Sequence, residues 1–219
     1  MCVLTGTALQ AVELCVPDRE ESFAAMRSRT SLDFPIRVDF IKSVAFPVLN
    51  QLGMTFAPGK KQLNPVSGPA WDRDLVVDLE GMREQYGIEV LVSLVEDGEL
   101  DDLCIPDLVG KAEQFGIHTL RFPIRDMGVP KNLEAFSLMV DQIVDELREE
   151  KKIAVHCKGG LGRAGTVAAC ISIAASNWEL AGGDAIRLVW TARPGAIENS
   201  LQESFVRSFA DRDRFHIPL

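Results

Sequence analysis

At 219 residues, with 47% hydrophobic and 25% charged residues, the chain has the profile of an ordinary soluble globular protein of one domain. A formal net charge of −9 argues against nucleic acid and against standing attachment to anionic membranes, since both select a basic surface. The five cysteines (Cys2, Cys15, Cys104, Cys157, Cys170) are odd in number and show neither a disulfide framework nor a Cys-x2-Cys metal pair. The N-terminal stretch has no basic start and carries Glu13 inside its apolar part, which makes a poor signal peptide, and no apolar run approaches a membrane span. The expectation is a cytoplasmic protein with reduced thiols.

Residues 1–33 carry the weakest signal and are expected to be an N-terminal extension, in which Pro17 and the charged run after it either open a short helix through Met26 or stay loosely docked. A catalytic domain is expected over residues 34–219. Pro35 to Phe40 alternates like an edge strand, and Leu52 to Phe56 like another, ending at the Pro58-Gly59 turn. Residues 59–71 read as a loop. Asp72 or Asp74 caps a helix reaching Tyr86, with Leu75, Leu79, Met82 and Tyr86 on one face and Gly87 as its stop. Ile88 to Val95 is the clearest strand, turned by Glu96-Asp97-Gly98. A helix over Asp107 to Phe115, a strand over Ile117 to Phe122 and a loop from Pro123 to Lys131 follow. Asn132 caps the most amphipathic helix, where Leu133, Phe136, Met139, Val140, Ile143, Val144 and Leu147 recur at helical spacing. After a strand over Lys152 to Val155 and a buried helix from Ala164, two more helices are expected near 182–192 and 199–213. Strands alternating with helices imply an α/β fold: a mostly parallel central sheet flanked by helices on both faces. Ligands in such folds bind beyond the carboxyl ends of the strands.

That is where the sequence places its chemistry. Residues 156–166 read HCKGGLGRAGT, between the strand and the buried helix. Gly159, Gly160 and Gly162 let the loop of Lys158 to Gly162, Leu161 included, turn its amides inward. The helix N-terminus adds donors and partial positive charge. Arg163 supplies a planar fork suited to two oxygens of one phosphate. The same field favours thiolate over thiol at Cys157. A cradle for a tetrahedral anion around a nucleophile is a phosphoryl-transfer site, and no cofactor is required. Metal binding has no support, because His118, His156 and His216 are scattered.

The run HCKGGLGR resembles the signature of cysteine-dependent protein phosphatases of the tyrosine and dual-specificity superfamily. Within it the chain most resembles the kinase-associated phosphatase (cyclin-dependent kinase inhibitor 3) branch. APGKK at 57–61, GELDDLCIPDL at 98–108, FPIRDMGVP at 122–130 and GAIENSLQ at 195–202 extend the likeness over roughly residues 50 to 212. The resemblance implies a protein-tyrosine-phosphatase-like fold and a two-step reaction. Cys157 attacks phosphorus while a general acid protonates the leaving oxygen, and the same group then activates water against the phosphocysteine. The acid falls on Asp126, which is otherwise a turn residue; Asp107 and Asp141 lie within predicted helices and suit the role less. Gln202 matches the segment that orients the water, or else is a surface glutamine. His156 is expected to tune Cys157 without touching substrate. Lys158 either lines the pocket rim or is solvated, and Lys60 and Lys61 are given no role. One position departs from the family: the residue after the signature arginine, usually Ser or Thr with a hydroxyl on the sulfur, is Ala164, and the next hydroxyl is Thr166. Slow hydrolysis of the phosphocysteine is the expected consequence.

The leading expectation is a protein phosphatase for phosphotyrosine and phosphoserine or phosphothreonine, with a phosphorylated protein, a protein kinase among the candidates, as substrate and partner. Two alternatives stand beside it. One is a phosphatase for phosphoinositides or inositol phosphates. The other is a slow-turnover module that captures phosphoproteins or a kinase.

Overall fold

The structure of the chain, a computed structural model, describes residues 28–63, 65 and 68–212. The helix expected between Pro17 and Met26, and most of the extension over 1–33, lie outside the described residues.

Strand β1 (Asp39–Phe40) and a 3-10 turn (Pro47–Gln51) lead into β2 (Leu52–Phe56). A small antiparallel pair follows, β3 (Lys61–Gln62) with β4 (Trp71–Asp72), inside the segment expected to be loop. Helix α1 (Leu75–Glu84) starts where Asp74 accepts the Val77 amide, and Gly87 stops it at φ +69°. Strand β5 (Ile88–Ser93), helix α2 (Asp97–Asp102), helix α3 (Leu108–Gln114) and strand β6 (His118–Arg121) come next. Helix α4 (Leu133–Arg148), capped by Asn132 on the Ala135 amide, precedes β7 (Lys152–Cys157). The chain then forms α5 (Gly162–Ala175), α6 (Gly182–Ala192) and α7 (Ser200–Arg212).

The main sheet has the order β1-β2-β7-β5-β6, with β2, β7, β5 and β6 parallel and β1 antiparallel on the edge. Strand β2 is therefore internal, not an edge: β7 and β1 pair its two sides, and its first four residues are buried. The edge strand shrinks to the two residues that reach it. The sheet has helices on both faces, as the near-continuous apolar runs of β5 and β7 require. On one face, α4, α6 and α7 surround α5, all of whose residues are buried. On the other, α1 and α3 cover Ile88, Leu91 and Ala154. Buried on every side, α5 is the central post on which the loop after β7 is mounted.

A buried ion pair fixes the other flank. The Arg73 guanidinium donates to both Asp78 oxygens (2.8 and 2.7 Å) and to the Phe34 carbonyl (2.7 Å), and Asp78 accepts the Gly59 amide at 2.8 Å. Both partners are fully buried, and three donors meet the two Asp78 oxygens. This network pins the Pro58-Gly59 turn against α1 and holds residues 30–34 to the domain. Among the described residues no helix is long and apolar enough to cross a membrane.

Candidate active site

Cys157 is the last residue of β7, buried to 3% exposure at the carboxyl edge of the sheet. The chain turns through Lys158 to Leu161 and enters α5 at Gly162. The Gly160 amide points at the sulfur, 3.2 Å away, which is the inward-facing donor the glycines lead one to expect. Gly160 has φ +71°, and a Cβ there would lie 2.3 Å from the Thr55 carbonyl oxygen, so the loop is pressed against β2 at a point where only glycine fits. The outer carbonyls of the loop are occupied as well: Lys158 accepts from Lys60 (3.3 Å) and Gly159 from Arg193 (3.2 Å). Both carbonyls are thereby engaged by cations from outside the loop.

Arg163, 1% exposed, is held by three groups. Its η nitrogens donate to Glu99 (2.5 and 2.8 Å) and to the Ile124 carbonyl (2.9 Å), and Asp126 stands 2.9 Å from Nη2. Burial works against its charge, but the hydrogen bond to Glu99 and the nearby Cys157 and Asp126 outweigh it and raise the pKa further. Burial also opposes the Glu99 carboxylate, yet hydrogen bonds from Arg163 and the Glu96 amide hold its pKa below the ordinary value. Glu99 reaches this place because α2 is a capped helix rather than a simple turn. Glu96 and Glu99 form a reciprocal capping box. Sequence reasoning missed both the helix and this carboxylate, although the Glu-x-x-Glu spacing across 96–99 was a usable signal.

Asp126 lies in a loop after β6, its side chain 56% exposed. It also accepts the Met127 amide at 3.0 Å, and Met127 has φ +58°. Asp126 and Arg163 thus come together at the mouth of the cradle, whereas Asp107 is the N-cap of α3 and Asp141 lies within α4.

The segment before α7 meets this loop from the other side. Gln202 is fully buried, not a surface glutamine. Its amide donates to the Gly128 carbonyl (3.2 Å) and accepts from the Glu198 amide (2.9 Å), and Asn199 donates to the Met127 carbonyl (3.1 Å). Both ends of the Gln202 side chain are thereby engaged in joining the two loops. The Gly162 amide, expected to face a phosphate, instead donates to the Glu198 carboxylate at 2.8 Å. Glu198, Glu99 and Asp126 together surround the cradle.

His156 is fully buried in register with Thr55 of β2 and Ser93 of β5, between two buried hydroxyl-bearing residues. Its Nδ1 lies 3.4 Å from the Cys157 carbonyl oxygen. Burial lowers its pKa to about 4, against the Cys157 contact and with help from the Arg163 and Arg121 charges, so the imidazole is neutral near pH 7. Ala164 is fully buried, and the Thr166 hydroxyl donates to the Gly162 carbonyl at 2.8 Å. That hydroxyl is committed to its own helix and does not replace the one missing at Ala164. Lys158 is half-buried. Lys60 is 4% exposed, with its ammonium 4.2 Å from the Trp71 ring and its pKa lowered to about 8, chiefly by burial, while Lys61 is exposed and pairs with Asp72. The sequence alone does not distinguish these neighbours. Among the described residues no group of three or more His, Cys, Asp or Glu side chains is placed to hold a metal ion.

The family model described as cyclin-dependent kinase inhibitor 3 matches residues 27–182. The cyclin-dependent kinase inhibitor 3 of Rattus norvegicus is 28% identical over 179 residues, which cover 81% of this chain and 80% of that protein. A crystal structure of kinase associated phosphatase, with its catalytic-site cysteine replaced by serine, superposes with a TM-score of 0.71 at 26% identity. That likeness covers 84% of this chain and 98% of the other. Tk-PTP in its active form gives 0.62 at 26% identity, over 82% and 99% of the two chains. The chain belongs to the cyclin-dependent kinase inhibitor 3 family, within the dual-specificity and tyrosine phosphatase superfamily of cysteine-dependent phosphoric monoester hydrolases.

Proposed function

We propose that the chain hydrolyses phosphotyrosine and phosphoserine or phosphothreonine in proteins through a phosphocysteine on Cys157, and that residues 34–219 form the catalytic unit. The observation that carries this reading is the convergence on one point of the Gly160 amide, 3.2 Å from the sulfur, and the Arg163 fork, with Asp126 2.9 Å from that fork. A phosphate entering the cradle takes the Arg163 face that Asp126 now occupies. The carboxyl group is thereby released toward the leaving oxygen, which it protonates before serving as base for water. The Gly160 amide, the other loop amides from Lys158 to Leu161 and the N-terminus of α5 stabilise the equatorial oxygens as charge builds, while the Gly162 amide is held by Glu198. Gln202 and Asn199 hold the acid loop by its Met127 and Gly128 carbonyls, so Gln202 contributes by positioning Asp126 as well as by facing the water site. His156, neutral and buried, orients the end of β7. Lys158 lines the rim. The relatives' name motivates a phosphorylated kinase as the substrate to try first.

The test is hydrolysis of p-nitrophenyl phosphate and of phosphotyrosine and phosphothreonine peptides, with Cys157→Ser and Asp126→Asn alongside. Turnover of both peptide classes, lost in the serine variant and with an altered basic pH limb in the asparagine variant, is expected. Turnover of inositol phosphates but of neither peptide would overturn the protein-substrate reading.

A further inference from the structure

Two apolar side chains stand at the mouth of the cradle with half or more of their surface left to solvent. Met127 follows Asp126 in the acid loop and is 50% exposed; Leu201, 56% exposed, lies in the first turn of α7 beside Gln202. Neither belongs to the two hydrophobic clusters that make the core. Met127 has φ +58°, in the left-handed region, where glycine or asparagine is the usual residue and a longer side chain is strained. Its backbone is fixed there from both ends: Asp126 accepts its amide at 3.0 Å, and Asn199 donates to its carbonyl at 3.1 Å. A flexible apolar side chain is thus held toward solvent on a backbone that favours a smaller or more polar residue. Burial within this chain offsets neither cost. Leu201 lies in sequence between Asn199 and Gln202, the two residues that grip the acid loop at Met127 and Gly128, so the two apolar residues belong to opposite sides of one hydrogen-bonded seam.

We propose that Met127 and Leu201 form an apolar lip that takes a large apolar side chain of the substrate next to its phosphorylated residue, and so determine specificity; this rests on the protein-phosphatase reading above. The occupant follows from the chemistry of the neighbouring acid. Asp126 has to reach the leaving oxygen of the phosphorylated side chain. Neighbouring residues of an extended polypeptide lie roughly 3.3–3.6 Å apart, so the residue beside the reacting one passes over Met127. Neither lip side chain offers a charge or a strong hydrogen-bonding group, and the contact therefore favours an apolar neighbour. The unbranched thioether chain of methionine adapts to leucine, isoleucine or phenylalanine alike, so the lip selects for apolar bulk rather than for one residue.

The experiment measures kcat/KM of the full chain on phosphotyrosine peptides that differ only in the two residues flanking the phosphotyrosine: both leucine, both serine, both glutamate or both lysine. The leucine peptide is expected to exceed the serine peptide about tenfold, a discrimination typical of one apolar contact. Leu201→Ser is expected to cut that ratio to about threefold and to leave hydrolysis of p-nitrophenyl phosphate unchanged. Met127→Asn keeps a residue that accepts the left-handed backbone; it is expected to bring the ratio near one and to melt no lower than wild type. Equal turnover of the leucine and serine peptides, a ratio that neither variant moves, or a glutamate or lysine peptide better than the leucine one would overturn the lip. A Met127→Asn protein melting well below wild type would also overturn it, because the side chain would then serve packing. The same peptides, titrated by fluorescence anisotropy onto Cys157→Ser protein, separate the two claims. An affinity ratio of about tenfold for leucine over serine, with no turnover of any peptide by wild type, refutes the phosphatase reading and keeps the lip. Turnover of all four peptides alike does the reverse.

Discussion

Replacing Glu99 by glutamine removes the charge on which the Arg163 guanidinium is mounted. Arg163 is 1% exposed and the Glu99 side chain 16%, and two bonds of 2.5 and 2.8 Å join them across 64 residues of sequence. Removing one partner of a buried pair costs roughly 3–5 kcal/mol when the other charge is stranded. Here Asp126 and the Ile124 carbonyl remain on Arg163, both at 2.9 Å, and the amide oxygen of glutamine still accepts one bond. A cost of about 2 kcal/mol is therefore expected, or about thirtyfold in kcat/KM. Part of that cost appears as a lower melting temperature, because Glu99 also closes the α2 cap. Glu99→Asp keeps the charge but draws it back by one methylene, and an intermediate loss is expected. The assay is kcat/KM for p-nitrophenyl phosphate with a thermal melt on the same protein. A Glu99→Gln enzyme within twofold of wild type would refute the idea that this carboxylate sets the arginine fork.

Other substitutions test separate parts of the site. Gly160→Ala forces a Cβ to within 2.3 Å of the Thr55 carbonyl oxygen at φ +71°, so hydrolysis of p-nitrophenyl phosphate is expected to fall by about a hundredfold or more; Gly159→Ala, whose Cβ meets nothing within 4 Å, should melt near wild type. His156, with its pKa lowered to about 4 by burial, binds fewer protons folded than unfolded between pH 4 and 6.5. Stability therefore falls as pH drops through that window, by on the order of 3 kcal/mol, and chemical denaturation of His156→Gln across the window should show a shallower slope. Glu198→Gln removes an exposed negative charge from the N-terminus of α5, where its carboxylate holds the Gly162 amide, and should lower KM for phosphoesters about threefold. Ala164→Ser restores a hydroxyl in the first turn of α5, and rapid-quench kinetics should show faster decay of the phosphocysteine.

Elements with local signals were legible in the sequence. Asp74, Gly87 and Asn132 terminate helices through bonds to residues three or four positions away or through a positive φ, and such features are written in adjacent letters. The cradle was legible for the same reason, because Cys157 to Arg163 is one continuous run whose glycines have few other uses. What could not be read depends on distant partners. Helix α2 buries only Leu100, so its acidic sequence has no apolar period, and Glu99 becomes meaningful only when Arg163 arrives beside it. Lys60 and Lys61 are identical neighbours until Trp71 and the Lys158 carbonyl enclose one of them. The amide of Gln202 looks like any helical surface group until the acid loop closes over it. Strand β2 resembled an edge strand because its five residues do not say that two other strands will flank it.

The most direct test of the chemistry is to trap the covalent intermediate. Wild-type protein turning over a phosphotyrosine peptide is quenched in acid within the first turnovers, digested and mapped by mass spectrometry. The expected result is a phosphoryl adduct on the peptide carrying Cys157. It should be absent from Cys157→Ser and reduced at steady state in Ala164→Ser. Sustained turnover with no adduct on Cys157, or activity that survives Cys157→Ser, would contradict the mechanism at its first step.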